Sequence, residues 1–337
     1  MEKILPKIGV VIIGINESAH IADCIKAIRD ANYQQDLLDI VYVDGGSSDN
    51  TTDVAMGFNG VRVIQLNNPH PTPGRGRNAG WHILSAPIIQ FLDADMIIDP
   101  DWLMHAHNIL KDNVGAVTGM LRETYPDKNI YHILAEMEWA GKEGPCNFFG
   151  GGVLIKRKAL EDANGYDEYL IAGEDPDLSY RIREKGWFIN RSGHTMARHD
   201  INMSSFIKYL KRAFRGGYAY AEISFRYIKN REKIWLRETL RILIRSLLPL
   251  IIMLAGFISG FVFSGLILAL LFAVKPAFSI FRFKNQFSRP WKDTIIYTVN
   301  AIIIVFPQLF GVIRHYYGLL SGKPLHNRIR VKKTSLP

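Results

Sequence analysis

The chain has 337 residues, of which 48% are apolar and 11% aromatic. This composition excludes an intrinsically disordered chain, and the length allows two domains. The formal charge of +9 hides an asymmetry, because residues 1–200 carry a net charge of −9 and residues 201–337 a net charge of +18. The basic half also contains long apolar runs. We therefore expect the lipid bilayer, with an anionic surface, rather than nucleic acid as its partner.

Cysteine content and the N-terminal segment bear on the compartment. The only cysteines in the sequence, Cys24 and Cys146, supply neither a disulfide framework nor the spacing of a zinc site. Residues 1–20 lack the apolar segment of a secretory signal. We therefore expect a multi-pass protein of the cell membrane whose acidic half faces the reducing cytosol.

Strands and helices alternate along the first 120 residues. Apolar runs predict strands at 8–13, 40–43, 61–64, 88–92 and 115–118. Helices are predicted at 21–28, from Thr51, at 79–84 and from Asp99 to about Lys111, with Asn16-Glu17-Ser18 as the N-cap of the first and 71–78 as a flexible loop. This alternation predicts an α/β fold built on a mostly parallel sheet.

The stretch from 130 to 200 is less regular. A helix is predicted at 130–141 and a strand at 153–155, after the glycines Gly150 to Gly152. A further helix is predicted from Gly173 to Gly186, with Pro176 at its first position. Asp175, directly before this proline, is placed as the N-cap of the helix.

The C-terminal part reads as a membrane region. Aromatic and basic residues alternate from Ser204 to Arg245, which favours amphipathic helices at a membrane interface. Residues 246–274 and 294–313 hold no charged residue and predict membrane segments. We therefore predict a catalytic domain at 1–200, interfacial helices at 201–245, about three transmembrane segments within 246–320 and a basic tail at 321–337.

The topology of this region leaves an alternative open. The basic loop 282–292 is expected to be cytosolic, so the residues between Arg245 and this loop should cross an even number of times. A further crossing would place the basic tail outside, against the positive-inside rule. Either the last segment is re-entrant or the rule fails here, and two membrane segments are the alternative to three.

The candidate site is centred on Asp93-Ala94-Asp95, which follows the predicted strand 88–92. Open α/β sheets bind ligands at the carboxyl edge of their strands, where these two side chains emerge. Two carboxylates on one tight turn suit a hard divalent cation held together with substrate phosphates. The alternative is a pair of solvated turn residues.

Four motifs together resemble family 2 glycosyltransferases with the GT-A fold. They are 10–13 with Asn16-Glu17, Asp44 to Thr51, Asp93-Ala94-Asp95, and Gly173-Glu174-Asp175 to Arg181, in that order over roughly residues 5–200. With the membrane segments attached, the chain resembles a small cellulose-synthase-like enzyme and the mannosyltransferases of lipid-linked glycans. It lacks a Gln-x-x-Arg-Trp motif on the interfacial helix, where Lys211 to Arg215 stand instead, and this departure argues against processive synthesis.

The resemblance implies roles for the acidic residues. Asp95 and Asp93 would hold Mn²⁺ or Mg²⁺ against a diphosphate. Asp175 would be the general base of an inverting transfer, with Glu174 shaping the sugar or acceptor pocket. Asp44, with Asn16 and Glu17, would bind the nucleoside part of the donor, and the alternative for Asp44 is an ordinary turn cap.

Other residues are candidates by their chemistry. His199 would add a metal ligand, for which His194 is a weaker choice, and the alternative for both is a solvated side chain. Arg75 and Arg77 would contact the diphosphate, or else form a solvated basic loop. Gly151, within the run 150–152, would let the backbone approach the sugar, although tight packing explains a glycine equally well.

These observations predict a metal-dependent, membrane-bound inverting glycosyltransferase. It would move a hexose from a GDP- or UDP-sugar, with GDP-mannose preferred, to a polyprenyl-linked or glycan acceptor. One alternative is a processive synthase using UDP-sugars. A second is a membrane sugar-phosphate nucleotidyltransferase, although 10–17 lacks the basic residues of such a signature. A third is a non-catalytic scaffold, in which Asp93, Asp95 or Asp175 would be expected to be lost.

Overall fold

The computed structural model describes residues 5–67, 70–259, 279–285, 289–323 and 325. These residues form two compact units. The first comprises the described residues up to Tyr125 together with Trp139–Ile201, and the second comprises Pro126–Glu138 and the described residues from Asn202 onward. The second half of the predicted apolar run 246–274 and nearly all of the basic tail 321–337 lie outside the described residues.

The first unit is an α/β sandwich. Its strands are β1 (Ile8–Gly14), β2 (Leu38–Asp44), β3 (Val61–Gln65), β4 (Ile88–Asp93), β5 (Met96–Ile98), β6 (Val114–Glu123), β7 (Gly144–Pro145), β8 (Val153–Lys156) and β9 (Phe188–His199). Its helices are α1 (Ile21–Arg29), α2 (Thr51–Met56), α3 (Pro73–Ile83), α4 (Trp102–Ile109), α6 (Arg157–Asp162) and α7 (Glu174–Glu184), while α5 (Ile130–Trp139) connects the two units in sequence.

The sheet of the described residues is mixed rather than mostly parallel. Its order is β3-β2-β1-β4-β8-β6-β9-β5, with β7 paired to β9. The first four strands are parallel, as the βαβ alternation predicts, whereas β8 runs antiparallel to β4 and β6. The sequence missed β5 and the long strand β9, because the polar residues of β9 obscure any alternation of apolar side chains.

The register of the parallel strands creates the ligand edge. Gly14 of β1 lies opposite Asp44 of β2, and Ile13 lies opposite Asp93 of β4. Strands β1, β2 and β4 are mostly buried on both faces, between α1 and α4 on one side and α3, α6 and α7 on the other. The carboxyl ends of β1, β2 and β4 therefore meet at one edge, with polar residues directly after each strand.

Three local predictions were wrong. His20, not the Asn16 to Ser18 segment, occupies the N-cap of α1. The presumed loop 71–78 is largely helical, because Thr72 caps α3 by accepting a hydrogen bond from the Arg75 amide and Pro73 opens the first turn. Asp175 is not an N-cap, since Gly173 holds that position with φ of 88° and Asp175 is the second residue of α7.

The second unit is helical in the part that the structure describes. Its helices are α8 (Phe206–Arg226), α9 (Leu236–Ser259), α10 (Trp291–Ile303) and α11 (Val305–Leu320). The segments Leu236–Ile258 and Trp291–Leu320 are long and apolar enough to cross a bilayer by length and composition, which alone is a weak indication. The predicted segment 294–313 is thus part of two successive helices that meet at Ile304.

Candidate active site

The turn after β4 brings an aspartate and a histidine together. The Ala94 amide donates to the Ile13 carbonyl at 2.8 Å, so the turn is fastened to β1. Strand β5 then pairs with β9, where Met96 lies opposite His199. As a result, His199 Nε2 lies 2.9 Å from Asp95 Oδ2.

Arg77 gathers the remaining acidic residues. This side chain lies on α3 and is only 3% exposed. Its guanidinium lies 3.0 Å from Asp93 Oδ1, 2.9 Å from Glu174 Oε1 and 3.5 Å from Asp175 Oδ1. One buried cation therefore links Asp93 at the end of β4 to Glu174 in the first turn of α7, although the two residues are 81 positions apart in sequence.

Asp175 sits in an environment that suits a proton acceptor. Burial raises the pKa of Asp175 to about 7, although the nearby Arg77 charge acts in the opposite direction. Asp175 Oδ1 is paired with Arg77 at the long distance of 3.5 Å, and a hydrogen bond from the Tyr166 hydroxyl lowers the pKa of Asp175 slightly against the effect of burial. The Tyr166 ring lies beneath the Arg77 guanidinium at 5.2 Å. Asp175 is thus held only loosely by Arg77 and titrates near neutrality.

The residues at the turn fit a divalent metal ion. Asp95 Oδ1 is buried and has no hydrogen-bond partner in the described ranges. The 2.9 Å between Asp95 Oδ2 and His199 Nε2 equals the separation of about 3 Å expected for adjacent ligands about 2.1 Å from an octahedral ion. Carboxylate oxygen with imidazole nitrogen is a donor set that accepts Mn²⁺ or Mg²⁺.

His199 is held from two sides. Its ring stacks on Trp139, with centroids 4.8 Å apart and planes 11° apart. Burial lowers the pKa of His199, but the hydrogen bond and charge of Asp95, with the charge of Asp93, outweigh burial and raise it. Without an ion this pair is a charge-assisted hydrogen bond, and an ion would take the place of its shared proton.

Gly151 lies against the inner face of this cluster. A Cβ added at Gly151 would lie 2.6 Å from Asp93 Oδ2 and 3.2 Å from an Arg77 nitrogen. By contrast, Gly150 faces open space, and Gly152 packs against Met196. Of these three glycines, therefore, only Gly151 is required to lack a side chain so that the Asp93 carboxylate fits.

Asp44 organises the loop after β2. Its two oxygens accept hydrogen bonds from the Tyr42 hydroxyl at 2.9 Å, the Gly46 amide at 2.9 Å, and the amide and hydroxyl of Ser47, the amide at 2.8 Å. These four bonds fill the acceptor positions of a carboxylate. The observed geometry is that of the turn cap that the sequence offered as the alternative.

Asn16 and Glu17 connect this loop to the end of β1. The Asn16 amide donates to Ser47 Oγ at 2.8 Å, and its Oδ1 accepts from the Ser48 amide at 2.8 Å. Glu17 pairs with His20 at 2.9 Å, and burial together with the charge of Asp95 raises the pKa of Glu17. Glu17 therefore contributes a further carboxylate within the field of Asp95.

Two candidates lie elsewhere. Arg75 points to Glu168, with 3.8 Å between the charged atoms, and is not brought to the aspartates. His194 pairs with Asp99 at 3.1 Å and stacks on His105, so it does not reach Asp95. Arg75 and Arg77 are two residues apart on helix α3, so their side chains point in different directions, Arg75 to Glu168 and Arg77 to Asp93. A flexible loop would have allowed both to face the aspartates.

Sequence reasoning missed Tyr166 and Trp139. Tyr166 follows the Asn164-Gly165 turn and Trp139 ends α5, and neither position belongs to an acidic or basic motif. The only signal was chemical, because a large aromatic residue close to charged motifs often closes a ligand site.

Comparisons with known proteins agree with this geometry. Residues 9–163 match the family described as Glycosyl transferase family 2. Glycosyltransferase AglE of Haloferax volcanii is 24% identical over 226 residues, covering 64% of this chain and 74% of that protein. A beta-monoglucosyldiacylglycerol synthase of Trichormus variabilis is 25% identical over 206 residues, covering 56% of this chain and 44% of that protein.

A solved structure shares the fold. Mannosyltransferase PcManGT from Pyrobaculum calidifontis, solved in complex with GDP-Man and Mn²⁺, matches with a TM-score of 0.65 and 17% sequence identity. The match covers 92% of this chain and 88% of that chain. The expectation of a GT-A-type fold is therefore confirmed.

Proposed function

We propose that the chain is a family 2 glycosyltransferase, and that it is a membrane-bound, inverting, metal-dependent enzyme of glycan assembly. The match of residues 9–163 to that family supports this proposal. The enzyme moves a hexose from a nucleoside diphosphate sugar to a lipid-linked acceptor. The observation that carries this proposal is the Arg77 cluster, in which one buried guanidinium contacts both Asp175 and Asp93, two residues before the Asp95 that pairs with His199. The match to a glycosyltransferase family favours sugar transfer over nucleotidyl transfer. The presence of Asp93, Asp95 and Asp175 argues against a non-catalytic scaffold.

The reaction is a single displacement at the anomeric carbon. The acceptor hydroxyl oxygen forms a bond to this carbon on the face opposite the leaving group, so the configuration inverts. The bond from the anomeric carbon to the phosphate oxygen breaks, and its electron pair stays on the diphosphate. Asp175 takes the hydroxyl proton, for which a pKa of about 7 is well matched at neutral pH.

The donor lies along the carboxyl edge of the sheet. Asp95 and His199, with Asp93 Oδ2, would hold Mn²⁺ or Mg²⁺, which when bound neutralises the charge of the departing diphosphate. Asp44 acts by shaping the 45–51 loop for the nucleoside, with Asn16 and Glu17 at its border. Glu174 and Gly151 border the sugar.

GDP-mannose is the proposed donor. The support is a shared fold with a mannosyltransferase that was solved with this donor and Mn²⁺. A UDP-sugar remains the alternative, because the same arrangement of aspartates serves either base. The absence of the Gln-x-x-Arg-Trp motif argues for one transfer per acceptor rather than polymer growth.

The acceptor is proposed to be a polyprenyl-type lipid carrier at the cytosolic membrane surface. The support is the basic, apolar C-terminal half, with two described segments apolar enough to enter a bilayer. The lipid would present its hydroxyl or terminal sugar to Asp175.

Transfer assays with the full chain in detergent test these proposals. The donors are GDP-mannose, UDP-glucose and UDP-N-acetylglucosamine, each offered with a polyprenyl phosphate and with a free oligosaccharide. We expect one β-linked mannose on the lipid from GDP-α-mannose, no transfer in EDTA, and recovery with Mn²⁺ or Mg²⁺. Retained anomeric configuration would overturn the inverting mechanism, and full activity in EDTA would overturn the metal dependence. Equal use of the free oligosaccharide would overturn the lipid-linked acceptor.

A further inference from the structure

The first turns of α9 carry an arginine stripe, which we define as Arg237, Arg241 and Arg245. The four-residue spacing places the three side chains on neighbouring turns along about 12 Å of helix. Together with Lys233 they line a groove of about 630 Å³. Of the eight described residues that line this groove, four are thus basic.

The charge of the stripe is poorly neutralised within the protein. Arg237 and Arg245 have no ion-pair partner in the described part of the chain, and Arg241 has only Glu238, at 4.0 Å. One acidic residue, Glu232, lines the groove. By comparison, Arg212 on α8 is already paired with Glu138 at 3.2 Å. The groove therefore keeps a net positive charge that an anionic ligand would balance.

Aliphatic side chains line the same groove. Leu236, Leu240 and Ile244 lie one residue before each arginine, and Leu240 and Ile244 are 46% and 59% exposed. From Ser246 onward, α9 continues into a charge-free apolar stretch. A soluble phosphate would leave these aliphatic side chains in water, whereas a lipid would cover them with its acyl chains.

We propose that the arginine stripe binds the phosphate group of an anionic phospholipid, with the acyl chains lying along Leu240 and Ile244. Arginine suits this ligand because its planar guanidinium makes paired hydrogen bonds to phosphate oxygens. The site is distinct from the transfer site and does not depend on the identity of donor or acceptor. It would fix the depth of α9 at the membrane surface.

The test uses the full chain purified in a neutral detergent. Its melting temperature is followed while dioctanoyl phosphatidylglycerol, dioctanoyl phosphatidylcholine or glycerophosphoglycerol is added below micellar concentrations. We expect saturable stabilisation by phosphatidylglycerol alone. The variant Arg237→Gln/Arg241→Gln/Arg245→Gln should bind it about 100-fold more weakly, since each arginine near an anionic surface contributes about fivefold.

A matched control separates the stripe from overall charge. The variant Lys208→Gln/Lys211→Gln/Arg215→Gln removes the same charge from α8 and should keep the affinity within about twofold. Equal weakening in both variants, equal stabilisation by phosphatidylcholine, or equal stabilisation by glycerophosphoglycerol would overturn the proposal. If the triple variant melts early without lipid, the single exposed change Arg237→Gln should still weaken binding about fivefold, and unchanged binding there would also overturn it.

Discussion

At the scale of single residues, the site is governed by an excess of negative charge. Arg77 faces Asp93, Glu174 and Asp175, and Asp95 adds a fourth carboxylate beside His199. Burial penalises these charges unless they are paired. The protein therefore needs both Arg77 and a further cation, or a proton on Asp175, to keep the cluster compact.

Asp175→Asn tests the proposed base. Because the amide cannot accept the acceptor proton, kcat should fall by about 10²–10⁴-fold while donor binding stays close to wild type. In the wild type, the rate should rise as pH increases through about 7, since only the deprotonated form of Asp175 accepts a proton. Steady-state kinetics from pH 5.5 to 9 check both. A variant with weakened donor binding and an unchanged kcat would contradict this role.

Arg77→Gln tests the link between the guanidinium and that pKa. Arg77 holds the pKa of Asp175 below the value that burial alone would give, so removing the charge should raise the pKa further. The midpoint of the pH–rate profile should then move to more alkaline pH, and Arg77→Lys should reverse part of the shift. A midpoint that stays in place or becomes more acidic would show that Arg77 acts only in packing.

At the scale of elements, the buried strands were predictable and the polar connections were not. β1, β2 and β4 are continuous apolar runs, so their ends placed Asp44 and Asp93 correctly at one edge. The second half of helix α3 was predicted, but its first half was missed because the Pro, Gly and Arg residues there are typical of loops, although Thr72 and Pro73 start a helix. The Arg77 cluster depends on that helix and could not be derived from motifs.

The strand pairing of β9 is a second example. His199 became a neighbour of Asp95 only through the β5–β9 register, which joins residues 104 positions apart. The sequence suggested His199 as a metal ligand together with Asp95, but not the strand pairing that brings the two side chains together. The local pattern of apolar residues predicts where a strand ends. The register between distant strands depends instead on how all the strands of the sheet pack together.

Gly151→Ala tests the segment before β8. The new methyl group would meet Asp93 Oδ2 at 2.6 Å and must displace this carboxylate from its place beside Arg77. We expect kcat/KM to fall about 10- to 100-fold, as small misplacements of catalytic groups do, with little change in melting temperature. Gly150→Ala is the matched control, because its added Cβ meets open space. Equal effects of the two changes would rule out the proposed contact.

At the scale of the whole molecule, the packing of α11 bears on the proposed membrane topology. Helix α8 contacts the α10–α11 segment at three points. Later residues of α8 contact later residues of that segment. Tyr209 bonds to Asn300 at 2.7 Å, Gly217 meets the backbone of Gln308, and Phe225 lies beside Tyr316. The α10–α11 segment therefore runs alongside α8 rather than away from it.

This packing disfavours a crossing by α11. Helix α8 carries Lys208, Lys211, Arg212 and Arg215 in its first turns and the buried Glu222 further on. If α11 crossed the bilayer, these charges would enter the hydrocarbon region with it, at about 2.5–3.5 kcal/mol for each basic residue near the centre. The segment more readily lies with α8 at the interface, despite its apolar composition.

The contacts of the basic loop point the same way. Arg289 pairs with Asp293 at 3.0 Å and lies 3.8 Å from Asp127, which follows β6 of the catalytic sheet in sequence. At the other end of α11, the Leu325 amide donates to the Tyr218 hydroxyl on α8. Two crossings between Arg245 and the loop, and none afterwards, would keep the loop, the tail and the catalytic domain on one side, in agreement with the positive-inside rule.

Cysteine labelling tests this arrangement. In a Cys24→Ala/Cys146→Ala background, single cysteines replace Ser321, at the end of α11, and the exposed Lys185 on the catalytic unit. If both positions face the cytosol, as this arrangement requires, a membrane-impermeant maleimide should leave both unlabelled in intact cells and label both after permeabilisation. Labelling of position 321 from outside, with position 185 protected, would instead show that α10–α11 crosses the bilayer and that the basic tail defies the charge rule.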